Sequence, residues 1–192
     1  MLTGKKIVLG VSGGIAAYKM ANVASMLSKL HADIHVVMTE NATHFITPET
    51  FEVLTGNHCY TDTFDRCMEL HVPHIALGTQ ADAILIAPAS ADVVGKIANG
   101  IADDMLTTCV LPATCPVMLA PSMNVHMYEN PIVQDNMKKL VSYGYEIIEA
   151  DEGYLACRDI GKGKLPPEHV LVDYIIRACA MDKDLAGKKV LV

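Results

Sequence analysis

The stretch Ala83-Ile-Leu-Ile-Ala-Pro-Ala-Ser-Ala-Asp92 decides the fold. Its first half, Ala83 to Ala87, is apolar with no polar alternation, which predicts a strand covered on both faces, as in a parallel sheet flanked by helices. Pro88 has no N–H to give to a ladder, so the strand is expected to stop there. Ala89, Ser90 and Ala91 follow, and a helical pattern opens at Val93. A strand that passes through small residues into a helix N-terminus leaves a crevice: a flat or anionic ligand can approach the backbone, and the free N–H groups of the helix end point at it. In open α/β sheets ligands sit beyond the carboxyl ends of the strands. An ordinary βα turn reads the same way in isolation, so the neighbouring turns carry the argument further.

Lys6-Ile-Val-Leu-Gly-Val11 is a second such strand, closed by Ser12-Gly13-Gly14. The pattern from Ile15 to Leu30 predicts a long amphipathic helix, with apolar Ile15, Met20, Val23, Ala24, Leu27 and Leu30 near helical spacing. Strand, glycine turn and helix make a plausible phosphate cradle, in which Ser12 is expected to donate a hydrogen bond. The turn lacks both the G-x-G-x-x-G spacing and the P-loop lysine, so neither an NAD nor an ATP site is indicated and a mononucleotide phosphate fits better. Ile34 to Met38 is a strand with Thr39 at its carboxyl end, facing the same crevice, capping the next helix, or both. Val117 to Ala120 is a fourth apolar strand, and Pro121-Ser122-Met123-Asn124 repeats the pattern of proline followed by small polar residues. Asn124 offers one acceptor and two donors, enough to hold a carboxylate or an amide. With a fifth strand at Tyr145 to Ile148, the chain reads as α/β: an open doubly wound parallel sheet with helices on both faces, Rossmann-like.

Other segments are less informative. Thr47-Pro48 opens a short helix that Gly56 ends, residues 58–60 suit an edge strand, and residues 61–70 are expected to form a mobile loop. His71 and His74 lie three apart, but no Cys, Asp or Glu stands at a convincing spacing, so no metal site is expected. His74, after Pro73 at the start of a short helix, suits a general base or a structural role. Asp103-Asp104 is best read as a helix cap before Met105. The glycine-spaced run from Gly153 to Lys164 suits a loop that closes over a substrate, or a plain connection to a last helix over residues 168–180.

Composition sets outer bounds. The 192 residues suffice for one domain with a substantial core. A net charge of −7 with no basic run argues against nucleic acid as the main partner. Six cysteines without a C-x-x-C pair argue against a zinc ribbon and for reduced thiols in the cytoplasm. The start, Lys5-Lys6 running into a strand, does not read as a signal peptide, and the most apolar long stretch, Cys109 to Pro121, is too short and proline-rich to span a membrane. Residues 184–192 look like the opening of a further strand, which suggests a fragment of a longer protein or a short natural tail.

Four motifs in order, with His74 ahead of the second, carry a resemblance: Ser12-Gly-Gly-Ile-Ala-Ala-Tyr-Lys19, Pro88-Ala-Ser-Ala-Asp92, Pro121-Ser-Met-Asn124 and Gly153-Tyr-Leu-Ala-Cys157. From about Lys5 to Met181 the chain resembles the flavin-dependent cysteine decarboxylases, most of all the branch that converts 4′-phosphopantothenoyl-cysteine to 4′-phosphopantetheine in coenzyme A biosynthesis. The resemblance implies FMN as cofactor, its phosphate cradled by Gly13, Gly14 and Ile15 with Thr39 helping, and the rest contacted by Ser90, Ala91, Asp92, Val93 and Ser122. It implies that Asn124, with Met123, holds the substrate, that His74 is the base, and that Cys157 is the proton donor on a flap. It implies homotrimers, or assemblies of trimers, with FMN at protomer contacts. Residues 1–181 would be the FMN-binding decarboxylase domain, and residues 182–192 a linker and the start of a phosphopantothenate–cysteine ligase domain. The chain departs from the family pattern at Asp92, where Asn is frequent, at Ser122, where Ala is usual, at Arg158, where Gly is usual, and at Lys164-Leu165, where Arg-Met is usual.

The chemistry gives an independent reason for these parts. The substrate's carboxylate has no adjacent electron sink, so direct loss of CO2 would leave an unstabilised carbanion. Oxidising CH2–SH to a thioaldehyde supplies that sink, and a flavin is suited to the hydride step. A base must take the thiol proton, a neutral amide must orient the carboxylate, and an acid must protonate the enethiolate as it is reduced again. Three alternatives remain: a peptidyl-cysteine oxidative decarboxylase, which stops at the enethiol; a non-enzymatic flavoprotein regulator; and, more distant, a flavin prenyltransferase, disfavoured by His74 and the Asn124 motif. The presence of Cys157 weighs against the first, and the retention of His74, Asn124 and Cys157 without an acidic tail weighs against the second.

Overall fold

Strand β4 (Ala83–Ala89) is buried at every position, as an unalternating apolar run requires when helices cover both faces. It lies at the centre of the molecule, whose computed structural model describes residues 2–64, 72–154, 156, 159–179 and 189. On one side β4 pairs with β1 (Lys6–Val11), which pairs with β2 (Asp33–Met38), which pairs with the edge strand β3 (Cys59–Tyr60). On the other side it pairs with β5 (Val117–Pro121), and β5 with β6 (Glu146–Ile147). All five pairings are parallel and the order is β3-β2-β1-β4-β5-β6. The winding reverses between β1 and β4, the place where a doubly wound sheet opens a crevice.

Register explains the two cores. Val36, Leu9, Leu85 and Met118 are successive partners across four strands, and all four face one core. That core also takes Val23 and Leu27 of α1 (Lys19–Lys29), Phe51 of α3 (Pro48–Thr55) and Leu171 and Ile175 of α9 (Glu168–Cys179). One residue further along, Val37, Ile86 and Leu119 face the opposite core. There they meet Leu77 of α4 (Pro73–Gln80), Val94 of α5 (Ala91–Ala98), Leu106 of α6 (Met105–Val110) and Leu140 of α8 (Pro131–Ser142). The alternation of period two follows from the pleat. Gly10 is the gap in the second row: a Cβ there would lie 2.6 Å from Leu106 Cδ1, so the glycine lets α6 settle onto β1. As expected, Asp104 caps α6, its Oδ1 accepting the Thr107 N–H at 2.8 Å.

Several boundaries differ from the sequence expectation. Strand β4 does not stop at Pro88: its pairing with β5 is irregular after Ile86 and resumes at Ala89 opposite Pro121, and the Ala87–Pro88 peptide is cis. The irregularity removes the need for an N–H at Pro88. Helix α5 opens at Ala91 rather than Val93, because Ser90 is its cap and accepts the Val93 N–H at 3.3 Å. The helix expected over residues 15–30 begins as a 3-10 turn, Ile15–Tyr18, and becomes α1 at Lys19. The expected flap loop is an antiparallel hairpin, β7 (Asp151–Tyr154) and β8 (Ile160–Lys164). Two further short helices among the described residues are α2 (Glu40–Thr43) and α7 (Val125–Glu129). The loop expected at residues 61–70 falls largely outside the described residues, as do the expected strand opening at 184–192 and its linker. Among the described residues no group of three His, Cys, Asp or Glu is placed to hold a metal ion, and no helix is long and apolar enough to cross a membrane.

Candidate active site

Three βα turns meet at the carboxyl end of the sheet, and hydrogen bonds from one side chain and from the backbone tie them together. Ser12 Oγ donates to the Pro88 carbonyl at 2.6 Å and accepts the Ser90 N–H at 2.9 Å. The Ser122 N–H donates to the Ala89 carbonyl at 3.1 Å. Ser12 is wholly buried, and its one hydroxyl hydrogen is spent on Pro88. The expectation that Ser12 donates to a bound phosphate is therefore corrected: it fastens the β1 turn to the β4 turn.

The turns enclose a cavity of about 460 Å³, within the range of cofactor sites. Gly13, Gly14, Ile15, Ser90, Ala91, Ser122, Met123 and Asn124 line it, so eight of the residues singled out in the sequence converge on one space. The two glycines differ in purpose. A Cβ on Gly13 would lie 2.6 Å from Asn41 Cβ, so this glycine lets the turn pack on α2. A Cβ on Gly14 would meet only Pro88 Cγ at 3.9 Å, so there the wall is bare main chain open to a ligand. No side chain caps the 3-10 turn that starts at Ile15. Its leading N–H groups lack a side-chain acceptor and suit an anion. Apolar Ile15, Met127 and Leu165 and the Tyr154 ring also line the cavity, a lining suited to a planar ring system, with Lys19 and Lys164 as cations among them. These features fit a flavin mononucleotide.

The other singled-out residues are elsewhere. Thr39 is the cap of α2, its Oγ1 accepting the Ala42 N–H at 3.3 Å, and it does not line the cavity. Val93 is buried in the core on the α5 side. Asp92 is exposed and pairs with Lys96 at 3.4 Å, in a cluster that also holds Asp103 and Asp104. Partial burial opposes the Lys96 charge, but these three carboxylates outweigh it and raise the lysine's pKa. His74 is half-buried in the first turn of α4 and does not line the cavity of its own chain; its Nδ1 is buried without a hydrogen-bond partner among the described residues. Cys157 and Arg158 lie outside the described residues.

The hairpin is seated on the Asn124 turn. The Met123 N–H donates to the Gly163 carbonyl at 3.0 Å. A Cβ on Gly163 would run into the Met123 carbonyl oxygen, and one on Gly161 would lie 2.6 Å from Val125 Cγ2. Asn124 Oδ1 accepts the His126 N–H at 2.8 Å, capping α7, and its Nδ2 donates to Asp159 Oδ2 at 2.8 Å. Of the lining residues, Tyr18, Met127 and Tyr154 were not singled out. Tyr18 and Tyr154 lie within two of the four motifs, which was the available signal, and both rings are exposed.

The chain belongs to the flavoprotein family, whose profile, described as Flavoprotein, matches residues 1–180. It is 49% identical over 172 residues to the coenzyme A biosynthesis bifunctional protein CoaBC of Bacillus subtilis, covering 89% of this chain and 42% of that protein. It is 42% identical over 188 residues to the CoaBC protein of Borreliella burgdorferi, covering 98% of this chain and 48% of that one. The chain thus spans under half the length of these relatives. Among solved structures, a PPC decarboxylase complexed with pantothenoylaminoethenethiol matches with a TM-score of 0.80 at 29% identity, covering 89% of this chain and 96% of that one. The FMN-dependent cysteine decarboxylase SpaF matches at 0.76 and 34% identity, covering 91% and 99%. Family membership makes a flavin the cofactor, in keeping with the glycine-walled cavity.

Proposed function

We propose that this chain catalyses the FMN-dependent decarboxylation of 4′-phosphopantothenoyl-cysteine to 4′-phosphopantetheine in coenzyme A biosynthesis, as one half of a bifunctional cytoplasmic protein whose other half is the ligase. The observation that carries the reading is the convergence of Gly13, Gly14 and Asn124 on one cavity. The backbone of Gly13, Gly14 and Ile15 holds the phosphate of FMN, and Ser90, Ala91 and Ser122 border the rest. Bound there, FMN supplies the acceptor for the hydride that leaves the substrate's CH2–SH carbon and the donor for its return. Asn124 orients the carboxylate without adding a charge, so CO2 departs into a pocket that does not hold it. His74 takes the thiol proton, and Cys157 protonates the enethiolate carbon. His74 stands outside the cavity of its own chain, which supports a homotrimeric assembly in which it serves the cavity of a neighbouring copy.

Mass spectrometry of products tests the reading. The flavin-loaded protein should turn 4′-phosphopantothenoyl-cysteine into 4′-phosphopantetheine, and Cys157→Ser should release CO2 once and accumulate the oxidised enethiol. Release of FAD on denaturation, or no reaction with this substrate, would sink it. An enethiol product from the parent protein would favour the oxidative chemistry of the SpaF type.

A further inference from the structure

The hydrogen bond from Asn124 Nδ2 to Asp159 Oδ2, 2.8 Å long, puts a carboxylate on the very amide that the function proposed above gives to the substrate's carboxylate. The amide is not free to turn away, because its Oδ1 is committed to the His126 N–H at the cap of α7. Asp159 is itself delivered by the hairpin: Gly161 brings β8 onto the Val125 side chain and Gly163 onto the Met123 backbone, and Asp159 immediately precedes that strand. Two carboxylates gathered on one amide would repel one another in this half-buried place.

We propose that Asp159 sets the binding of the substrate's carboxylate: its own carboxylate holds one of the two N–H donors of Asn124 Nδ2 and repels a second carboxylate brought to the same amide, so a ligand bearing that group binds by displacing it. A ligand that has lost the group leaves Asp159 where it is. Decarboxylation is thereby read out at Asn124, since the product no longer competes for the amide and the hairpin contact re-forms. The inference rests on the function proposed above.

Two thiol-free probes test it without turnover: 4′-phosphopantothenoyl-serine, which keeps the carboxylate, and 4′-phosphopantothenoyl-ethanolamine, which lacks it. Calorimetric titration of the flavin-loaded protein compares the parent with Asp159→Ala and Asp159→Asn, the second preserving volume and hydrogen bonding while removing the charge. Asp159→Ala should tighten the serine probe on the order of tenfold, the size of a lost charged competitor's hydrogen bond, and leave the ethanolamine probe unchanged. Asp159→Asn should tighten the serine probe to a smaller degree. Weaker binding of the serine probe to both variants would show that Asp159 positions Asn124 rather than competing for it, and would overturn the proposal, as would no change in either. Failure of both probes to bind the parent protein would remove the proposed function and this inference with it.

Discussion

A serine that sequence reasoning assigned to the ligand instead holds the site together. Ser12 Oγ both donates and accepts between the first and fourth strands' turns, with no exposure to solvent. Ser12→Ala leaves the Pro88 carbonyl and the Ser90 N–H each short of one partner at a buried place. The expected loss is about 1–3 kcal/mol of stability, read as a lower midpoint in urea, together with weaker flavin retention on gel filtration. A variant with parent stability would show the hydroxyl to be dispensable. The sequence distinguished a small polar turn residue here but not its direction, because a serine beside glycines serves a ligand and a neighbouring strand equally well. Asn124 shows the complementary case: its donor–acceptor inventory was legible, whereas the Asp159 partner lies 35 positions away in sequence and no local pattern links the two.

Among the elements, the strands of the sheet were the most legible, because full burial leaves the unalternating apolar runs of β1, β4 and β5. The hairpin of β7 and β8 was not, since its strands are mostly exposed and glycine-rich and bury no alternating face. Its seat depends on close main-chain approach. Gly163 has φ near 142°, and an added Cβ would press on the Met123 carbonyl. Gly163→Ala should lift β8 from the Asn124 turn at a cost of about 1–3 kcal/mol for a strained contact, raising KM on the order of tenfold while flavin content stays at the parent level. Unchanged KM would show that the hairpin docks without this contact.

For the molecule as a whole, two expectations follow from burial and from placement. Burial pushes the Cys59 and Cys109 thiols from an ordinary 9.0 up to about 12, with nearby Glu52 and Glu49 adding to the first and Cys115 to the second. The unfolded chain therefore gives up these protons first as pH rises. The native state keeps full benefit below about pH 9 and loses stability between about 9 and 12. Thermal unfolding followed across that range should fall less steeply for a Cys59→Ala, Cys109→Ala double variant than for the parent; parallel curves would discount the two thiols. The second expectation concerns His74, whose place on α4 keeps it off its own chain's cavity. If it serves a neighbouring copy, His74→Asn and Asn124→Ala proteins, each inactive alone, should regain part of the parent activity when unfolded and refolded together, whereas separate sites would stay silent. Sequence pattern located His74 on a short helix but contains nothing about which copy's pocket that helix addresses.

The cavity's two walls are made of different material. At Gly14 the boundary is polypeptide main chain, which has the same amide groups whatever side chains surround it. Elsewhere in the lining, Tyr154, Met127 and Lys164 present side chains that a single substitution can replace. Substitution can thus reshape the side-chain wall while the main-chain wall stays constant. An inhibitor meant to hit many such proteins should be built against the amide wall, and one meant for this protein alone against the side-chain wall.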